Sequence, residues 1–238
     1  MDLNADLGEG GLQDEALMPY ITSCSIACGG HTGTFESVET TLELALKYGV
    51  AVGAHPSYPD PQFFGRRSIK MNKNDLQKSI ENQLQLFAVA LDKSKGARWQ
   101  HIKPHGALYN DMAQDHTLAS AVLEVFSFFD IKGLFLPAKM PVVNLAREKG
   151  FLVWEEVFAD RKYNNHGQLV SRKLPGAVLS KNSDVVSQVK QWKNGAVETD
   201  TGATFETRWD TLCLHSDTPN ASSIAQDLAV HFKFKKLS

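Results

Sequence analysis

Val50-Ala51-Val52-Gly53-Ala54-His55 is a short apolar run closed by a histidine, and the chain uses the same device repeatedly. Ser25-Ile26-Ala27-Cys28-Gly29-Gly30-His31, Ile102-Lys103-Pro104-His105-Gly106 and Leu212-Cys213-Leu214-His215 each run into a histidine in the same way. Asn4-Ala5-Asp6 and Val157-Phe158-Ala159-Asp160 end two further runs in polar groups. If these runs are parallel strands closed into a barrel, all of those side chains converge on one rim. In (β/α) barrels the C-terminal rim carries the active site, because its loops vary freely while the strands hold them rigid. The pattern reads as an enzyme.

Working outward, strand-like and helix-like stretches alternate without a break. Strands are expected over residues 1–5, 23–28, 50–54, 99–103, 131–136 and 152–158, with two more around 196–199 and 211–214. Helical spacing covers 34–47, where Val38, Leu42, Ala45 and Leu46 share a face. It recurs over 72–92, 116–129, 141–149, 183–192 and 222–232. Strands separated by about 10–15 helical residues imply βαβ units and a parallel sheet. Seven or eight such units with no shift in composition predict one α/β domain over 1–238, a (β/α) barrel of seven or eight parallel strands. The longest irregular segments, 55–70 and 160–181, both follow strand ends and both carry arginines, as substrate-gripping loops do.

Composition narrows the class. The 238 residues carry a formal net charge of −2 with both signs interspersed, so no nucleic-acid or anionic-membrane partner is expected. No apolar run approaches the ~20 residues that span a bilayer, and no secretory leader is recognisable, so a cytoplasmic location is expected. Three cysteines, Cys24, Cys28 and Cys213, fall on or near apolar runs and read as buried free thiols.

Residues two apart share a face of a strand. Asn4 with Asp6, Lys103 with His105, and His215 with Asp217 therefore send paired polar groups to the same side. One histidine at a strand end is as often structural as functional. Three pairs together with His31, His55 and Asp160 favour a polar site. Arg66, Arg67, Arg161 and Arg172 lie in the two long loops. Singly they read as solvated charges; together they suit a substrate bearing carboxylate or phosphate, which guanidinium forks grip in a bidentate way. A P-loop signature is lacking, so nothing in the chain points to ATP binding on its own.

Two chemistries fit the same residues. Asp6, His31, His55, His105 and His215 are of the types that ligate a divalent ion, although no local HxxxH spacing marks them. In the metal-free reading a histidine acts as general base, Asp6 or Asp217 orients it, and Lys103 stabilises a developing oxyanion. A Cys28–His31 nucleophile pair is the weaker option beside a buried apolar cysteine.

Eight stretches carry a resemblance to a known family. They are Asp2-Leu3-Asn4-Ala5-Asp6-Leu7-Gly8-Glu9, Ile26-Ala27-Cys28-Gly29-Gly30-His31, Gly53-Ala54-His55-Pro56-Ser57-Tyr58-Pro59-Asp60 and Phe64-Gly65-Arg66-Arg67. Lys103-Pro104-His105-Gly106-Ala107-Leu108-Tyr109-Asn110, Glu156-Val157-Phe158-Ala159-Asp160-Arg161-Lys162-Tyr163, Leu169-Val170-Ser171-Arg172 with Pro175-Gly176-Ala177, and Leu212-Cys213-Leu214-His215 complete the set. In this order they resemble the LamB/YcsF family. The resemblance implies a distorted barrel related to the glycoside hydrolase/deacetylase folds. It also implies ATP-dependent opening of the 5-oxoproline lactam to L-glutamate, carried out with 5-oxoprolinase subunits B and C.

The expected catalytic residues are Asp6, Lys103, His105 and His55. Asn4, His31, Arg66, Arg67, Tyr109, Asp160, Arg161, Arg172 and His215 are expected to contact substrate. Asp6, His31, His55 and His105 are the metal candidates. ATP is the expected co-substrate, bound with the partner subunits; a divalent metal and a homo-oligomer are left open. Two positions depart from the family pattern: Thr34 stands where an Asp is usual, and Ser216 where a Gly is usual. Two other readings keep the same barrel, a metal-dependent deacetylase or amidohydrolase and a catalytically silent ligand-binding subunit, the latter favoured by Thr34.

Overall fold

The computed structural model describes residues 1–11, 13–131 and 133–237. Its strands are β1 (Asp2–Leu7), β2 (Ser23–Ala27), β3 (Ala51–His55), β4 (Trp99–Ile102), β5 (Gly133–Pro137), β6 (Leu152–Phe158), β7 (Ala196–Glu198), β8 (Thr204–Glu206) and β9 (Thr211–Cys213). Among the described residues, β1 to β6 and β9 close into a barrel of seven strands, every neighbouring pair parallel. The expected strand at 196–199 is not an eighth stave. As β7 it pairs antiparallel with β8 in a separate two-stranded sheet. Its apolar alternation is real, with Val197 buried, but alternation specifies a face and not a partner. Lys132, within the expected strand 131–136, lies outside the described residues.

The helices are α1 (Asp14–Leu17), α2 (Phe35–Tyr48), α3 (Lys73–Lys93), α4 (Gly106–Gln114), α5 (His116–Phe126), α6 (Pro141–Glu148), α7 (Asn182–Lys193) and α8 (Ala221–His231). Each longer one buries an apolar stripe; α3 presents Leu76, Ile80, Leu84, Phe87 and Ala90. Helix α4 is an addition to the sequence reading, which assigns no element between the strand at 99–103 and the helix at 116–129.

Strand β1 is buried throughout, so its alternation is one of partners. Leu3, Ala5 and Leu7 join the apolar core, whereas Asp2, Asn4 and Asp6 bond to polar groups on other barrel strands. The interior is therefore polar and layered. At one level Asp2 accepts from Ser23 Oγ at 2.7 Å and Thr211 Oγ1 at 2.6 Å. Above it, His101 lies 3.1 Å from Ser25 Oγ and stacks on Phe135 at 3.8 Å. Gly53 leaves that ring its room: a Cβ there would come within 2.3 Å of His101 Cδ2.

Candidate active site

The parallel register brings the C-terminal ends of β1, β3, β4, β6 and β9 to one rim. Lys103 extends β4, its N–H donating to Ala54 O at 3.0 Å, and its ammonium projects into the barrel. Nζ lies 2.9 Å from Asp6 Oδ1, 2.9 Å from Glu156 Oε1, 3.2 Å from Asn4 Oδ1 and 3.2 Å from Cys213 Sγ. Burial favours the neutral amine, but the charges of Asp6, Cys213 and Glu156 outweigh it and raise the Lys103 pKa. Burial likewise opposes an Asp6 carboxylate, yet the charges of His55 and Lys103 hold its pKa well below the ordinary carboxylate range. Asp6 and Lys103 thus form a buried ion pair. The Lys103 protons are engaged by this network, so it organises carboxylates and is not placed as the free carbonyl donor that the sequence suggests.

Asn4 lies beneath, donating through Nδ2 to Glu156 Oε1 at 2.9 Å and Thr211 Oγ1 at 2.7 Å. Tyr109, on α4, donates its hydroxyl to Glu156 Oε2 at 2.9 Å. Its pKa is raised by burial and then by the Glu156 charge, so it stays a donor.

Three histidines gather beside this pair. His55 and His105 approach at 2.9 Å between Nε2 and Nδ1, and the His31 ring stacks on His105 at 3.6 Å. Burial and then the neighbouring histidines hold the His105 pKa well below the ordinary range. For His31, burial and then His55 bring it to about 2. The loop that carries Arg66 locks onto this cluster through two glycines. Gly106, at φ +56°, lets Ala107 N–H donate to Gly65 O at 2.9 Å. A Cβ on Gly65, at φ +62°, would come within 2.9 Å of His31 Cβ and 3.0 Å of His105 Cδ2.

Across the rim, His215 Nδ1 lies 3.0 Å from Asp160 Oδ1, and its ring stacks on Phe158. Asp160 also accepts from Thr218 Oγ1. Burial would raise the Asp160 pKa, but the His215 charge, hydrogen bonds from His215 and Thr218, and the Arg172 charge bring it below the ordinary value. A carboxylate held in this way fixes the proton on Nδ1 and leaves Nε2 as the basic nitrogen.

Part of this set lines a cavity of about 430 Å³; Asn4, His31 and Asp160, expected to contact substrate, are not in its lining and stand behind residues that are. Asp6, His55, Lys103 and His105 line its floor, and Tyr109, Phe158 and His215 its walls. Arg66, Arg161 and Arg172 come from the two long loops to its mouth. Arg66 Nη2 donates to Asp217, and Arg172 Nη1 lies 3.1 and 3.0 Å from the two oxygens of the same carboxylate. Arg161 donates to Val170 O at 2.7 Å, while its buried Nε has no partner among the described residues. Burial, followed by the Arg172 charge, lowers its pKa to about 10. Arg67 does not join the cavity lining: it pairs with Asp60 and lies over the Phe63 ring at 3.8 Å.

Thr34 is exposed and caps α2, accepting from Ser37 N–H at 3.2 Å in a reciprocal capping box. An Asp caps a helix equally well, so this departure is explained by capping. The three cysteines are buried and free. Burial pushes the Cys28 thiol up to about 12, which removes it as a nucleophile. Glu9 and Glu156 do not stand out in the sequence. Both lie in the motifs that carry the family resemblance, but Glu156 is mid-strand and Glu9 follows a glycine, away from the strand-end positions that mark the other site residues.

A family model described as the LamB/YcsF family matches residues 1–237. The chain belongs to the LamB/YcsF family. Among curated relatives, a protein of Thermococcus sibiricus named as the A subunit of 5-oxoprolinase is 43% identical over 232 residues, covering 94% of this chain and 90% of that one. The protein of the same name from Pyrococcus abyssi is 43% identical over 238 residues, covering 96% and 92%. Among solved structures, a "lactam utilization protein" from Thermus thermophilus superposes with a TM-score of 0.89 at 31% identity, covering 100% of this chain and 99% of that one. The family and the barrel are therefore one finding reached twice.

Proposed function

We propose that this chain is the A subunit of an ATP-dependent 5-oxoprolinase, opening the 5-oxoproline lactam to L-glutamate together with B and C subunits. The carrying observation is that a carboxylate-oriented base, His215 on Asp160, and an arginine-rich mouth face one cavity. The names borne by relatives with 43% identity support the same reading.

Lactam hydrolysis adds water across the C–N bond: hydroxide goes to the carbonyl carbon, a proton goes to nitrogen, and the bond between them breaks. His215 Nε2 takes the water proton and returns it to the leaving nitrogen. Arg66, Arg161 and Arg172 hold the substrate carboxylate, and a phosphoryl group where ATP has activated the carbonyl oxygen. Asp6, fixed as an anion by Lys103, sets the potential of the floor. ATP itself is assigned to the partner subunits, since this chain lacks a P-loop signature.

The test is glutamate release from 5-oxoproline and ATP by the chain assembled with its cognate B and C subunits. Omitting the chain should abolish release, and His215→Ala, which removes the base, should lower it at least ~100-fold with the fold intact. Full turnover by a folded His215→Ala complex would remove this rim from the reaction. Activity without ATP would favour a deacetylase or amidohydrolase instead.

A further inference from the structure

His55 and His105 face each other with the wrong nitrogens for a hydrogen bond. His55 Nδ1 lies 2.8 Å from Lys103 O, and His105 Nε2 lies 2.9 Å from Phe64 O. A carbonyl only accepts, so each of those ring nitrogens carries the proton. With both rings neutral, the remaining nitrogens, His55 Nε2 and His105 Nδ1, are bare lone pairs 2.9 Å apart; a proton added to His55 Nε2 would lie between His105 Nδ1 and Asp6 Oδ2, the latter 3.4 Å away. Two lone pairs at that distance repel unless something electropositive sits between them.

The surroundings say what it is. Glu9 Oε1 lies 3.0 Å from His31 Nε2, 3.4 Å from His105 Nδ1 and 4.0 Å from His55 Nε2. The four donor atoms lie within 4.8 Å of one another. The three histidine side chains and that of Glu9 are all less than 10% exposed, at 0, 1, 8 and 7%. Asp6 and Glu156 share the Lys103 ammonium, whereas Glu9 has histidines as its only ion-pair partners among the described residues. A shared proton would satisfy the two facing nitrogens, and His31 Nε2–H could donate to Glu9 Oε1 at 3.0 Å, but neither brings the four donor atoms onto one centre. A divalent cation takes a lone pair from all four. Both facing rings already donate their other N–H to backbone carbonyls, the outer support that fixes the tautomer of metal-bound histidine.

We propose that Glu9, His31, His55 and His105 form a binding site for one divalent first-row transition-metal ion, with zinc the best match to three imidazoles and a carboxylate. Zinc–nitrogen bonds of about 2.0–2.1 Å in a tetrahedral site set ligand nitrogens about 3.3 Å apart, so the facing pair opens by a few tenths of an ångström. Asp6, bound to Lys103, stays outside the set, in contrast to the sequence expectation that names it. The ion would bring Lewis-acid character to the floor of the cavity.

The test needs no substrate, so it stands or falls separately from the lactam reaction. The full chain is purified without chelator, assayed for metal, stripped, and titrated with Zn²⁺ and Co²⁺. One equivalent per chain is expected, with a visible Co²⁺ d–d band and a raised melting temperature on Zn²⁺ addition. Glu9→Gln should weaken binding by ~10–100-fold, and His55→Ala with His105→Ala should abolish the Co²⁺ band. If a histidine variant fails to fold, Glu9→Gln and the wild-type titration still decide. A folded wild-type chain with no saturable site overturns the proposal, as does a nitrogen NMR signature of one proton shared by His55 and His105 at saturating Zn²⁺.

Discussion

Lys103 is 2% exposed and sits between Asp6 and Glu156. Removing one member of such a buried set strands the others in low dielectric, at a cost of about 3–5 kcal/mol. Lys103→Met is therefore expected to lower the urea unfolding free energy by that amount; a loss below about 1 kcal/mol would mean that water reaches the carboxylates. That Asp6 and Lys103 share one rim is legible in the sequence, because residues at strand ends converge wherever a barrel closes; that they pair is not, and the sequence reading assigns Lys103 to a developing oxyanion instead. Glu156 is not legible either, since an acidic residue inside an apolar strand is equally consistent with an outward, solvated position, and only the register settles which way it faces.

At the scale of elements, the two long loops meet through Asp217, which holds Arg66 and Arg172 at the cavity mouth. An anionic substrate competes with that carboxylate for both guanidinium groups. Asp217→Asn is expected to lower KM for 5-oxoproline about 5-fold with little change in kcat. Stability should move by less than about 1 kcal/mol, because the ion pairs are partly exposed. A raised KM would show that Asp217 positions the arginines instead. The loops are readable as arginine-bearing segments after strand ends, but their shared partner is not, because 45 residues separate Arg172 from Asp217 and 151 separate Arg66 from it. The strand at 196–198 misleads for the same reason: pairing partners are tertiary facts.

For the molecule as a whole, a polar barrel interior makes stability depend on pH. His101 is fully buried, and burial followed by the Lys103 charge holds its pKa at about 3. In the unfolded chain it titrates near 6.5. Between those values the unfolded chain binds a proton that the folded one refuses, so the contribution is complete above pH 6.5 and is lost as pH falls toward 3. At about 1.4 kcal/mol per pH unit, wild type should lose about 2 kcal/mol more than His101→Gln between pH 7 and pH 5. Urea titrations of both at the two pH values measure this; equal losses would mean that His101 is protonated in the fold.

The central claim is that lactam opening takes place at this rim. Glutamate release by the assembled subunits, with wild type beside Asp6→Asn, tests it most directly. The substitution keeps the shape of the side chain and removes the charge that pairs with Lys103. The expected result is ATP-dependent release by wild type and at least a ~100-fold loss in the variant, with assembly intact. Undiminished release by a correctly assembled Asp6→Asn complex would contradict the claim and move the chemistry elsewhere.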